Sequence, residues 1–197
     1  VLAAEEVKAR FHKHFRSDTV HAQEGALSTD EATERRRWRM IVHGVLPEVA
    51  EPERAFDELW DHFSRPTSWR CFPEVADVLD ALSGQNLSLC VGSNFDSRLR
   101  GVFQGLSELR DRMETLVISS EVGFRKPHEG FFRAACAHLG LAPSEVLCVG
   151  DDPENDVRGA LRAGLSALLV DRSTNPDPDL PYVPNLTALL DLGEGES

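Results

Sequence analysis

No apolar run in this 197-residue chain approaches the roughly 20 residues that a membrane-spanning helix requires. A helical span is therefore excluded. Basic residues are in the minority, 21 Lys and Arg against 33 Asp and Glu, for a formal net charge of −12. That balance argues against nucleic acid or an anionic membrane as the main partner. Cysteine is sparse: Cys71, Cys90, Cys136 and Cys148 show no metal-ligand spacing, and two of them lie in apolar, strand-like runs. Reduced, buried thiols are expected rather than disulfides. With no signal-peptide pattern, a cytoplasmic location is expected too. Lysine is scarcest of the charged residues, three against 18 arginines. A lysine retained against that bias points to a need for a compact point charge.

What is present divides into two parts. Residues 1–68 carry 10 basic and 13 acidic side chains, and 69–197 carry 11 and 20, so the second part holds most of the negative charge. The first part has helical periodicity only. Val7, Phe11 and Phe15 mark one helix; Trp38, Ile41, Val42 and Val45 mark another after the start signal Thr29-Asp30; Phe56, Leu59, Trp60 and Phe63 mark a third after Pro52. The basic run Arg35, Arg36, Arg37 and Arg39 reads as a solvated helix face or as partners for Glu31 and Glu34. His12 and His14, two apart on a helix, make a poor metal pair.

From Trp69 the period alternates. A helix over 74–83 stopping at Gly84 leads to a strand over Leu87–Val91, a helix over 97–105 and a strand over Thr115–Ser119. A helix over 128–139 stopping at Gly140, a strand Val146–Val149, a helix over 155–163 and a strand Ser166–Val170 follow, then a Pro- and Asp-rich loop and a last short helix. Alternation on this scale predicts an α/β fold with a Rossmann-like parallel sheet. The expected organisation is a helical lobe, 1–68, and an α/β core, 69–197.

Three strand ends carry the chemistry. The first releases Gly92, Ser93 and Asn94 just before a helix, where a hydroxyl and free N–H groups can hold an anion or simply cap. The second leads to Arg125-Lys126-Pro127, which alone reads as an exposed basic pair. The third releases Asp151, Asp152 and Asp156, more carboxylate than capping needs and suited to a hard cation such as Mg²⁺. Strand ends of this kind are where open α/β sheets bind ligands. Together the three groups are the electrostatic equipment of phosphoryl transfer.

Gly92-Ser93-Asn94-Phe95-Asp96, Arg125-Lys126-Pro127 and Gly150-Asp151-Asp152-Pro153-Glu154-Asn155-Asp156 resemble, in order and spacing, the second, third and fourth motifs of the haloacid dehalogenase (HAD) superfamily. The resemblance covers about 69–190, with 1–68 similar to the helical cap inserted after the first core strand. It implies that Ser93 and the Asn94 backbone bind the phosphoryl group and that Lys126 stabilises nucleophile and transferring charge. Asp151 is implied as the Mg²⁺ ligand, and Asp156 as orienting Lys126 or binding a metal water. Asp152 sits where the family varies. The implied activity is a Mg²⁺-dependent phosphatase of small phosphorylated metabolites, working through an aspartyl-phosphate. Nucleic acid and membrane are not expected as partners, and oligomeric state is left open.

The family's first motif, an Asp-x-Asp ending the central strand, has no counterpart. The one Asp-x-Asp here, Asp177-Pro178-Asp179, follows Asn175-Pro176, and flanking prolines make a buried strand implausible. The expectation is that the first strand and nucleophile lie upstream of Val1, on about 20–40 further residues, a βαβ-scale addition. Two rival readings remain: a 2-haloacid dehalogenase, and a homologue that lost its nucleophile and binds phosphate without catalysis.

Overall fold

The computed structural model describes residues 3–20, 27–113, 115–173 and 177–193. Three helices come first: α1 (Ala4–Val20), α2 (Glu31–Val45) and α3 (Pro52–His62). The expected start signals operate at both of the last two. Asp30 caps α2 by accepting from the Thr33 N–H, and Pro52 occupies the first turn of α3. Phe56, 1% exposed, is the buried knob of α3. The Arg35 guanidinium lies 5.1 Å from its ring and 4.9 Å from that of Trp60, and Arg39 lies 5.0 Å from Phe56. The arginine run thus packs on aromatic faces, where cation–π attraction adds to its solvation.

The α/β part contains α4 (Val75–Gly84), β1 (Cys90–Ser93), α5 (Arg98–Gly105), α6 (Ser107–Arg110), β2 (Thr115–Ile118) and α7 (Ser119–Val122). It continues with α8 (Glu129–Leu139), β3 (Leu147–Gly150), a π-helical turn (Pro153–Arg158) running into α9 (Gly159–Arg162), β4 (Ser166–Val170), β5 (Tyr182–Val183) and a final 3-10 segment (Leu186–Gly193). The α/β alternation is as expected, and β5 is an addition too short to show a period. Strand β1 begins three residues later than its apolar pattern suggests. Leu87 is 51% exposed and lies before the strand. Helix α8 stops at Gly140 in the left-handed conformation, whereas α4 runs through Gly84 and turns at Asn86 (φ 59°).

All named strand pairs are parallel, but they form two sheets rather than one: β1 with β2, and β3-β4-β5. One face of the strands packs on α8 and α9 through Val117, Phe131, Phe132, Ala160 and Leu169. On the other face Leu116 and Ile118 meet Val75 and Leu79 of α4 and Phe103 of α5. That alternation is the period of 2 expected of strands covered on both faces. Burial is distributed unusually. Strand β2 is nearly sealed, while β1 has an exposed Gly92 and β3 an exposed Leu147. In a covered parallel sheet the inner strands are the dry ones. Here β1 and β3 each pair on one side only, and neither open edge is hydrogen-bonded to another named strand.

Candidate active site

The carboxyl ends of β1 and β3 are joined by one side chain. Lys126 Nζ donates to Gly92 O at 3.0 Å and to Asp156 Oδ1 at 2.6 Å. The side chains of this pair are 14% and 8% exposed, so the contact is largely desolvated and stronger than a surface ion pair. Asp156 is aimed by its own backbone environment: Oδ2 accepts from Asp152 N–H at 3.0 Å across the π-helical turn. Gly150 must be glycine for this to happen. A Cβ there would lie 2.3 Å from Asp156 Cγ.

Asn94 fixes the lysine from the other direction. Its amide donates to Lys126 O at 2.9 Å and accepts from Lys126 N–H at 2.7 Å. The sequence suggested a backbone role for Asn94; its side chain proves to be a two-point clamp on the lysine's peptide. Neither Ser93 nor Asn94 caps a helix, because α5 begins only at Arg98, with Ser97 before it. The expected helix N-terminus at Ser93 is therefore absent. The loop between is held by Asp96, 0% exposed, which accepts from Arg98 Nε at 2.6 Å. The half-buried Ser93 hydroxyl makes no hydrogen bond among the described residues.

The three acids after β3 have three fates. Asp152 is a helix cap, accepting from the N–H groups of Glu154 and Asn155. Asp156 is committed to Lys126. Asp151 is exposed and makes no hydrogen bond or ion pair among the described residues. It lines a cavity of about 520 Å³ with Phe72, Val149, Gly150, Val170, Asp171, Arg172 and Leu186. Among the described residues no three His, Cys, Asp or Glu side chains converge on a point. Mg²⁺ keeps several waters and is commonly held by one or two carboxylates together with phosphate oxygens, so Asp151 fits as a single ligand of an incomplete set. The residues described do not by themselves make a magnesium site.

The pair Arg125-Lys126 is not exposed, contrary to its appearance in sequence. Arg125 is 7% exposed, with Nε 3.4 Å from Glu34 Oε1 of α2. Sequence could not show this, because the partner lies about 90 positions away. The cysteines are free, as expected. Burial pushes the Cys90 thiol up to about 11, and burial with the charge of Asp156 does the same for Cys148. Both are poor nucleophiles near neutral pH. Asp177 lies in the loop between β4 and β5, 3.6 Å from Arg158, and does not end a strand.

Residues 123–191, which carry Lys126, Asp151 and Asp156, match the family described as HAD-hydrolase-like. Over these residues the chain is similar to haloacid dehalogenase-type hydrolases. A phosphoserine phosphatase from Thermus thermophilus is 35% identical over 129 residues, covering 65% of this chain and 52% of that protein. The chain thus aligns with about half of that relative's length. The magnesium-bound putative HAD-hydrolase YfnB of Bacillus subtilis superposes with a TM-score of 0.70 at 18% identity, covering 98% of this chain and 84% of that one. L-2-haloacid dehalogenase from Xanthobacter autotrophicus gives 0.75 at 18% identity, covering 97% and 86%. At these identities the two structures establish the HAD fold.

Proposed function

We propose that this chain forms the phosphoryl-binding side of a Mg²⁺-dependent phosphatase acting on small phosphorylated metabolites. The observation that carries the reading is the Lys126 ammonium. It is held at the mouth between two strand ends, with an unengaged hydroxyl on Ser93 and an unengaged carboxylate on Asp151 nearby in the fold. In this reading Ser93 binds a phosphoryl oxygen, Lys126 neutralises charge on the transferring group, and Asp156 and Asn94 hold the lysine in place. Asp151 supplies one metal ligand. Neither the remaining ligand nor an aspartyl nucleophile is assigned to the described residues. Helices α1 to α3 act as the cap, and the cavity beside Asp151 receives part of the substrate. The protein works in the cytoplasm. The relative named phosphoserine phosphatase supports phosphate chemistry.

The dehalogenase neighbour supports a second reading, in which the same lysine and serine serve a 2-haloacid without metal. Calorimetric titration of the chain separates the two. Orthophosphate is expected to bind, and to lose at least about tenfold in affinity in Ser93→Ala, the scale of losing a charge-assisted hydrogen bond. Binding of 2-chloropropionate with no response to orthophosphate would favour the dehalogenase.

A further inference from the structure

The loop that delivers Lys126 is gripped by the helical lobe through both backbone and side chain. Leu27–Thr29 runs antiparallel to Gly123–Arg125: Thr29 N–H donates to Gly123 O at 3.0 Å, and Arg125 N–H donates to Leu27 O at 2.9 Å. One turn into α2, Glu34 is 0% exposed. Its Oε1 accepts from Thr29 Oγ1 at 2.7 Å and lies 3.4 Å from Arg125 Nε. Its Oε2 lies 3.5 Å from Arg37 Nη1, beyond good hydrogen-bond geometry, and makes no hydrogen bond among the described residues. One buried carboxylate thus faces two buried guanidinium groups.

Stability gives a weak reason for such a cluster, since buried ion pairs are commonly no better than apolar side chains of equal volume. Its position gives a stronger one. Arg125 immediately precedes Lys126, whose peptide is clamped from the opposite side by Asn94. The lysine is therefore suspended between a charge contact to the lobe and an amide contact to the β1 loop. Glu31, three residues before Glu34 on the same helix face, reinforces the link. It accepts from Ser97 N–H and Ser97 Oγ, both at 2.9 Å, in the loop that follows Ser93.

We propose that Glu34 is a positioning residue for Lys126, acting through Arg125, so that docking of the helical lobe sets the lysine's pose at the strand ends. The consequence for phosphate rests on the phosphatase reading; the positioning itself does not.

The scarcity of lysine makes this measurable. A chain labelled with ¹³C at lysine Cε gives cross-peaks from Lys8, Lys13 and Lys126 alone. The Lys126 peak is assigned by its loss in Lys126→Arg. Glu34→Gln keeps volume and the Thr29 hydrogen bond while removing charge, and Arg125→Lys keeps charge while removing the guanidinium. In phosphate-free folded protein both are expected to move the Lys126 cross-peak. Glu53→Gln, at an exposed pair with Arg39, should leave it in place. Orthophosphate affinity is expected to fall by about threefold to tenfold in both test variants, the scale of coupling through a packed network. A purely structural Glu34 would lower the melting temperature and leave the cross-peak where it is. Wild-type peak positions in both variants overturn the proposal, and if Glu34→Gln does not fold, Arg125→Lys decides alone. Absence of orthophosphate binding by the wild type would instead sink the phosphatase reading, with the cross-peak test still standing.

Discussion

Lys126 Nζ stands 2.6 Å from Asp156 Oδ1 while also donating to Gly92 O, so one ammonium ties together the ends of strands that belong to different sheets. Removing the charge of its partner should loosen that tie. Asp156→Asn is expected to destabilise the chain by about 2 kcal/mol, since the amide still accepts from Asp152 but no longer neutralises a largely buried ammonium. Urea unfolding measures it, and a midpoint equal to wild type would contradict it.

Gly150→Ala tests the same contact without touching either charge. The new methyl would sit 2.3 Å from Asp156 Cγ, so the carboxylate must leave its place. Stability and orthophosphate affinity should drop at least as far as in Asp156→Asn. If Gly150→Ala binds orthophosphate normally, the pose of Asp156 is irrelevant to binding.

The alkaline limb of stability follows from two thiols. Burial raises Cys90 and Cys148 from 9.0 to about 11, so in this range the folded chain holds protons that the unfolded chain has released. Stability must then fall as pH rises from about 9 toward 11, and the contribution is intact below 9. Urea midpoints at pH 8 and pH 10 read the slope. A Cys90→Ala, Cys148→Ala variant should show a shallower loss, and an equal loss would assign the alkaline limb to other groups.

The phosphatase reading takes Asp151, the exposed carboxylate directly after β3, as a metal ligand and assigns no described residue as nucleophile. Purified chain with Mg²⁺ is therefore expected to leave p-nitrophenyl phosphate intact. Turnover that disappears in Asp151→Asn would show that the described residues already make a complete catalyst.

Sequence carried the α/β class and the three strand ends well, because short apolar runs bounded by Gly and polar residues are local signals. The parallel pairing followed from helix length between strands. The split into two sheets was visible only as a missing first motif, since a strand's neighbour is not written in its own residues. Asp152 looked like a third metal candidate because capping and metal binding draw on the same carboxylate; only the hydrogen bonds to Glu154 and Asn155 separate them. Arg125 and Glu34 were unreadable for another reason. Each looks like a surface charge alone, and burial becomes tolerable only when the fold brings them together.

The central claim is that Lys126, held by Asp156 and Asn94, is the cationic centre of a phosphoryl site. Titration of orthophosphate into wild-type chain and into Lys126→Met, followed by calorimetry, tests it most directly. Saturable binding by wild type and a loss of about 100-fold or more in the variant is predicted, the scale of removing a charged hydrogen-bonding partner in a dry site. Equal affinity in the two proteins would contradict the account.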